Sequence, residues 1–153
     1  MKTKLISLFL GMVCLLAACQ TEPPPPPATT SVSREITLAP AQSATVTGTD
    51  LTITFHSVVS DERCPSSVEC VASGPVTVSL SARQGTGSPN EFTLQTFTDE
   101  NGRSPNVQFE GITNRAEIGD YVIQIAGVTP YPKNSTTEIE ASEYRVALLI
   151  SNK

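Results

Sequence analysis

An all-β fold, an antiparallel two-sheet β-sandwich of immunoglobulin-like type, is what the sequence predicts for residues 35–153. Three observations carry that expectation. Apolar and polar residues alternate with period two in several short runs, the pattern of strands with one face on a core. Clusters of Gly, Pro, Asn and Asp interrupt those runs at short intervals. No segment sustains a 3.6-residue apolar period, so no helix longer than a turn is expected.

The strongest runs are four. Leu51, Ile53 and Phe55 alternate with Thr52, Thr54 and His56; Val76, Val78 and Leu80 alternate with Thr77, Ser79 and Ser81. Tyr121, Ile123 and Ile125 flank Val122 and Gln124, and Tyr144, Val146, Leu148 and Ile150 alternate with Arg145, Ala147 and Leu149. Weaker patterns predict strands at residues 35–38, 44–47, 92–97 and 107–112, which brings the expected number to seven or eight. Turn residues separate them at Gly48-Thr49-Asp50, across residues 85–89, at Asp99-Glu100-Asn101-Gly102 and at Pro130-Tyr131-Pro132. Asn101-Gly102 supplies the positive φ that a tight hairpin needs. A small closed barrel satisfies the same pattern and is the alternative architecture. Gly119-Asp120-Tyr121, ahead of an alternating strand, is similar to the tyrosine corner of immunoglobulin-like folds.

The first 34 residues read differently. Lys2 and Lys4 precede an apolar run from Leu5 to Ala18, shorter than the ~20 residues that cross a bilayer. The run ends in Leu16-Ala17-Ala18-Cys19, which resembles the lipobox of bacterial lipoproteins. That resemblance implies a signal peptide at residues 1–18, cleavage before Cys19, a diacylglyceryl group on its thiol, and a place in the cell envelope outside the cytoplasm. Residues 19–34 are then a lipidated tether containing the unbroken run Pro23 to Pro27. At about 3.1 Å per residue such a segment reaches up to roughly 45 Å.

Charge narrows the partners. The chain has 10 Lys and Arg against 15 Asp and Glu; without Lys2 and Lys4 the count is 8 against 15, near −7 with His56 neutral. No basic patch is present to attract nucleic acid. Of four cysteines, Cys14 leaves with the signal and Cys19 is taken by lipid, so Cys64 and Cys70 remain, an even pair in an oxidising compartment. A disulfide between them is expected.

Those two cysteines lie within residues 61–74, the stretch around which the domain is organised. Asp61-Glu62-Arg63-Cys64-Pro65, five residues on to Cys70 and then Gly74, resembles a family of small, largely uncharacterised bacterial lipoprotein domains. Thr129-Pro130-Tyr131-Pro132 and Glu143-Tyr144-Arg145-Val146 share the likeness, which covers residues 38–150. It departs at Ala72, where a bulky aromatic is expected. The resemblance implies architecture and location, and brings no activity. The residues themselves say more. Pro65 stops strand pairing after Cys64. Arg63, with five donors and Asp61 two positions away in an exposed connection, is expected to bond loop carbonyls or a nearby carboxylate and so fix the loop. A sharper reading makes the loop a recognition surface for a protein or envelope partner, with Asp61, Glu62, Arg63, Pro65, Val68 and Glu69 as its contacts.

Catalytic chemistries find little support. Redox exchange wants two residues between its cysteines, not five. With both thiols oxidised, the single His56 leaves a zinc or copper site without ligands, so no metal or other cofactor is expected. Asp99-Glu100-Asn101-Gly102 lacks the closing glutamate of a calcium loop. One histidine and no nucleophile-elbow pattern give no triad; Glu138 and Glu140 share one side of an extended segment with no aromatic sugar platform. The expectation is a lipid-anchored, non-enzymatic binding or structural module. A surface inhibitor of a secreted protease is the second reading, and an envelope enzyme or metal carrier the third.

Overall fold

The computed structural model describes residues 23–153. The signal peptide expected at residues 1–18 and the lipidation site at Cys19 lie outside the described residues. Among the described residues nine strands form two sheets: β1 (Ala28–Thr30), β2 (Glu35–Leu38), β3 (Ser43–Val46), β4 (Leu51–Asp61), β5 (Val76–Gln84), β6 (Asn90–Thr96), β7 (Arg115–Ile118), β8 (Tyr121–Thr129) and β9 (Arg145–Asn152). One sheet runs β1-β3-β4-β5-β6 and the other β2-β9-β8-β7. All pairings are antiparallel except β1 with β3. The helical content among the described residues is two single 3-10 turns, Thr136–Glu138 and Ala141–Glu143.

Period-two burial builds the core as the alternation predicts. Leu51, Ile53, Phe55, Val78, Leu80 and Leu94 from one sheet meet Leu38, Ile123, Ile125, Val146, Leu148 and Ile150 from the other, all without solvent contact. Side chains of this size contribute about 1.5–3 kcal/mol each on full burial. Each sheet is a meander, β3 to β6 and then β7 to β9. This departs from the constant-type immunoglobulin order, which divides its strands ABED and CFG.

Three elements differ from expectation. Residues 28–30, inside the segment read as tether, form β1, with Ala28, Thr29 and Thr30 opposite Ala44, Thr45 and Val46. Thr30 is buried, and Ser33 donates its backbone N–H to the Ile150 carbonyl at 2.7 Å. Even the proline run touches the domain, because Gln42 Nε2 donates to the Pro26 carbonyl at 2.9 Å. The folded body therefore begins well before residue 35, and the long free spacer is not there. Residues 107–112, expected as a strand, are the irregular crossing from β6 to the second sheet, with Phe109 edge-on to Phe97 at 4.9 Å between centroids. The next strand, β7, is a four-residue edge strand whose alternation, Arg115 and Glu117 outward with Ala116 and Ile118 half-buried against the core, is too short to stand out in the sequence.

Two β-bulges in β4 set up the functional end. The register pairs Phe55 with Leu80, Val58 with Val78 and Asp61 with Val76, with irregularities between Phe55 and Ser57 and between Val58 and Ser60. His56 and Val59 are the extra residues, and Phe55, Val58 and Asp61 share the inner face with Leu80, Val78 and Val76. His56 Nε2 pairs with Ser81 Oγ at 2.9 Å on the outer face, the hydrogen-bonded histidine that the sequence expects. The end of the sandwich at Asp61 also gathers the β2–β3 turn, the β4–β5 loop, residues 97–104 and residues 130–144. We call it the loop pole.

Candidate functional site: a buried arginine clamp beneath a stapled loop

Arg63 is the largest fully buried side chain of the domain, 2% exposed. An arginine at that depth needs every donor occupied and its charge paired. Both conditions are met. Nε donates to Asp61 Oδ1 at 2.8 Å and Nη2 to Asp61 Oδ2 at 2.5 Å, a bidentate fork on a carboxylate whose own side chain is 4% exposed. Nη1 donates to the Val128 carbonyl at 2.9 Å and to Thr98 Oγ1 at 3.5 Å, and Nη2 to the Pro130 carbonyl at 2.9 Å. All five N–H groups are thus used, and no buried side-chain nitrogen or oxygen among the described residues lacks a partner.

Two tyrosines complete the cluster. Tyr144, buried between the 3-10 turn and β9, donates its hydroxyl to Asp61 Oδ2 at 3.0 Å. Burial, and then the adjacent Asp61 carboxylate, push its phenol up to about 12, with Arg63 opposing. Tyr131 lies against the guanidinium, 5.2 Å from ring centre to Cζ, and donates its hydroxyl to the Cys64 carbonyl at 2.8 Å. It follows the cis peptide Thr129-Pro130. The clamp joins the end of β4 in one sheet to the ends of β8 and β9 in the other.

Above the clamp, Cys64 and Cys70 form a disulfide, S–S 2.08 Å with Cα atoms 6.0 Å apart. The loop is seated on residues 132–134. Ser66 N–H donates to the Pro132 carbonyl at 3.0 Å, and Ser67 gives its N–H at 2.9 Å and its hydroxyl at 2.6 Å to the Lys133 carbonyl. At its far end Gly74 N–H donates to the Glu62 carbonyl at 2.8 Å. A Cβ on Gly74 would sit 2.6 Å from the Glu62 Cβ, so only glycine allows that approach.

The six residues read as contacts of a recognition loop separate into two groups. Asp61 and Arg63 are buried in the clamp and present nothing to a partner, because β4 runs on through its bulges to Asp61 and carries both inward. The exposed connection expected at Asp61 starts one residue later. Glu62, Val68 and Glu69 are exposed, and Pro65 is half-buried. The expectation that Arg63 fixes the loop through carbonyls and a carboxylate is met, with partners far along the chain at Val128 and Pro130. Tyr121 is half-buried against the core, and the hydroxyl bonds that bind this pole come from Tyr131 and Tyr144 instead. The signal for them was in the sequence: the three segments 61–65, 129–132 and 143–146 that share one resemblance converge here.

The Asp99 turn closes the pole on its other side. Asp99 Oδ1 accepts from the N–H groups of Asn101 and Arg103 at 2.9 and 2.8 Å, occupying an oxygen that a cation would need. Gly102 has φ +76° and packs its carbonyl on β8, accepting from Val128 N–H at 2.7 Å. This is a turn between sheets rather than a hairpin. Among the described residues no group of three His, Cys, Asp or Glu is placed to hold a metal, and no helix is long and apolar enough to cross a membrane.

Comparison with known proteins gives no match, whether to family models, to curated proteins or to solved structures.

Proposed function

We propose that this chain is a lipid-anchored protein of the bacterial cell envelope, a non-enzymatic binding or structural module with a disulfide-stapled loop. The observation that carries the reading is the use made of Arg63. The polar side chains turned inward at this pole, Asp61, Arg63, Tyr131 and Tyr144, are bonded to one another and to backbone carbonyls beneath the loop. What they provide is a fixed shape, which lowers the ordering cost of any contact the loop makes. Attachment is supported by Lys2 and Lys4, the short apolar run and Leu16-Ala17-Ala18-Cys19.

Replacing Cys19 by Ala tests the anchor. The variant should lose lipid labelling and detergent-phase partitioning, and unchanged partitioning would sink the assignment. Cross-linked pull-down from envelopes with the soluble domain identifies any protein partner.

A second reading, a surface inhibitor of a secreted protease, is favoured by one feature. Residues 66–73 are exposed and carry Glu69 as their single charge, as a backbone offered to a protease cleft would. Titration of secreted proteases with the domain decides it: saturable inhibition supports the inhibitor, and none at stoichiometric excess removes it.

A further inference from the structure

We infer that the loop pole faces the lipid surface, with Val68 and Val71 as its apolar contacts, so that the opposite end of the sandwich is the one presented to the surroundings. The inference rests on the lipid-anchor reading and adds an orientation to it.

Chain direction carries the argument. β1 runs parallel to β3, with Ala28 opposite Ala44 and Thr30 opposite Val46, and β3 pairs with β4 so that Ser43 lies opposite Thr54 and Thr45 opposite Thr52. Followed backwards from Thr30, the chain therefore travels towards the Asp61 end of β4. The prolines continue that way. Pro26 is held by Gln42, and Pro23, Pro24 and Pro25 lie beside residues 39–41, Ser142 and Arg145, around a depression of about 280 Å³. Those neighbours belong to the loop pole, since Arg145 pairs with Thr129 at the end of β8. Only Gln20, Thr21 and Glu22 separate Cys19 from Pro23. Four Cα–Cα steps span at most about 14 Å when fully extended. β5 alone, nine residues long, extends about 30 Å from the loop pole to the turn at residues 85–89. A lipid at Cys19 thus has reach enough to touch the near pole and too little to let the far pole meet the bilayer while the prolines stay docked.

The near pole suits such a neighbour. Val71 is fully exposed at 108% and Val68 is 48% exposed, on a loop fixed by the disulfide and by its bonds to residues 132–133. Glu62 and Glu69 are exposed on the same loop, and Asp99, Glu100, Glu138 and Glu140 elsewhere on the pole, against Lys133 and Arg103. A net acidic rim fits uncharged or zwitterionic headgroups and is repelled by anionic ones.

The sequence provides its own reporters. After loss of residues 1–18 the chain has two lysines, Lys133 on the loop pole and Lys153 on the other, where its N–H bonds the Asp120 carbonyl. The lipidated protein is bound to phosphatidylcholine vesicles, treated with a membrane-impermeant acylating reagent, and compared by mass spectrometry with the Cys19→Ala variant mixed with the same vesicles. The inference expects Lys133 to react several-fold more slowly on the vesicles and Lys153 to be unchanged. Equal reactivity at Lys133, or protection at Lys153 instead, overturns it. Vesicle flotation of the same sample separates the two levels: failure to float removes the anchor and the orientation with it. Flotation with Lys133 fully reactive removes the orientation alone and leaves the loop turned outward.

Discussion

Replacing Arg63 by Met, a side chain of similar length without charge or donors, removes the clamp while keeping most of its volume. The Asp61 carboxylate would then stay in a nearly solvent-free site with only the Tyr144 hydroxyl and the Arg63 backbone N–H, the latter at 3.2 Å, as donors. The Val128 and Pro130 carbonyls would lose their side-chain donor. Breaking a buried pair from one side costs about 3–5 kcal/mol, and an orphaned buried acceptor about 1–3 kcal/mol. These losses overlap, so about 4 kcal/mol is expected, a large share of the roughly 5–15 kcal/mol typical of a domain. Asp61→Asn strands the guanidinium instead and should cost a similar amount. Combining the two removes both charges, and the double variant should be more stable than the sum of the single losses implies, by about 1–3 kcal/mol. Urea unfolding followed by circular dichroism measures all four proteins, with an unchanged m-value as the sign that only stability has moved. A loss below 1 kcal/mol for Arg63→Met, or strict additivity in the double variant, would refute the claim that this pair holds the two sheets together.

Other perturbations test neighbouring links. Reducing Cys64–Cys70 opens a seven-residue loop, a loss of about 2 kcal/mol in the chain-entropy account. The melting temperature should fall by roughly 5–10 °C with the fold retained, and unfolding of the whole domain on reduction would contradict the clamp's primacy. Tyr144 holds its proton to about pH 12 in the fold and releases it near 10 when unfolded. Its contribution is complete below pH 10 and is lost as pH rises from 10 to 12; Tyr144→Phe should flatten the stability curve across that window, and an unchanged slope would exclude the assignment. Limited proteolysis should trim the chain no further than the proline run and leave β1 in place, whereas a stable core beginning at Glu35 would show that β1 does not contribute.

What the sequence made legible follows its periodicities. The core strands around Leu51, Val76, Ile123 and Val146 could be read because each buries alternate side chains, so packing and pattern coincide. β4 was legible only in its first half, because the bulges at His56 and Val59 break the alternation before Asp61. β1 could not be read at all: three residues after five prolines, in Ser- and Thr-rich surroundings, have the composition of a linker, and their order comes from pairing with β3. The alternating residues 107–112 misled for the opposite reason, since Phe109 is spent on Phe97 in a crossing rather than on a ladder. At the site, the donors of Arg63 and the disulfide were readable from chemistry and compartment. The depth of Arg63 was not, because it depends on carbonyls 65 and 67 residues further on, which only the tertiary fold brings within reach.

The account stands most directly on the state of Cys19. Intact-mass and N-terminal peptide analysis of the protein isolated from membranes should show a chain lacking residues 1–18, with Cys19 carrying a diacylglyceryl group and Cys64 linked to Cys70. A chain that retains residues 1–18, or that begins elsewhere with Cys19 unmodified, would contradict the anchored reading and everything built upon it.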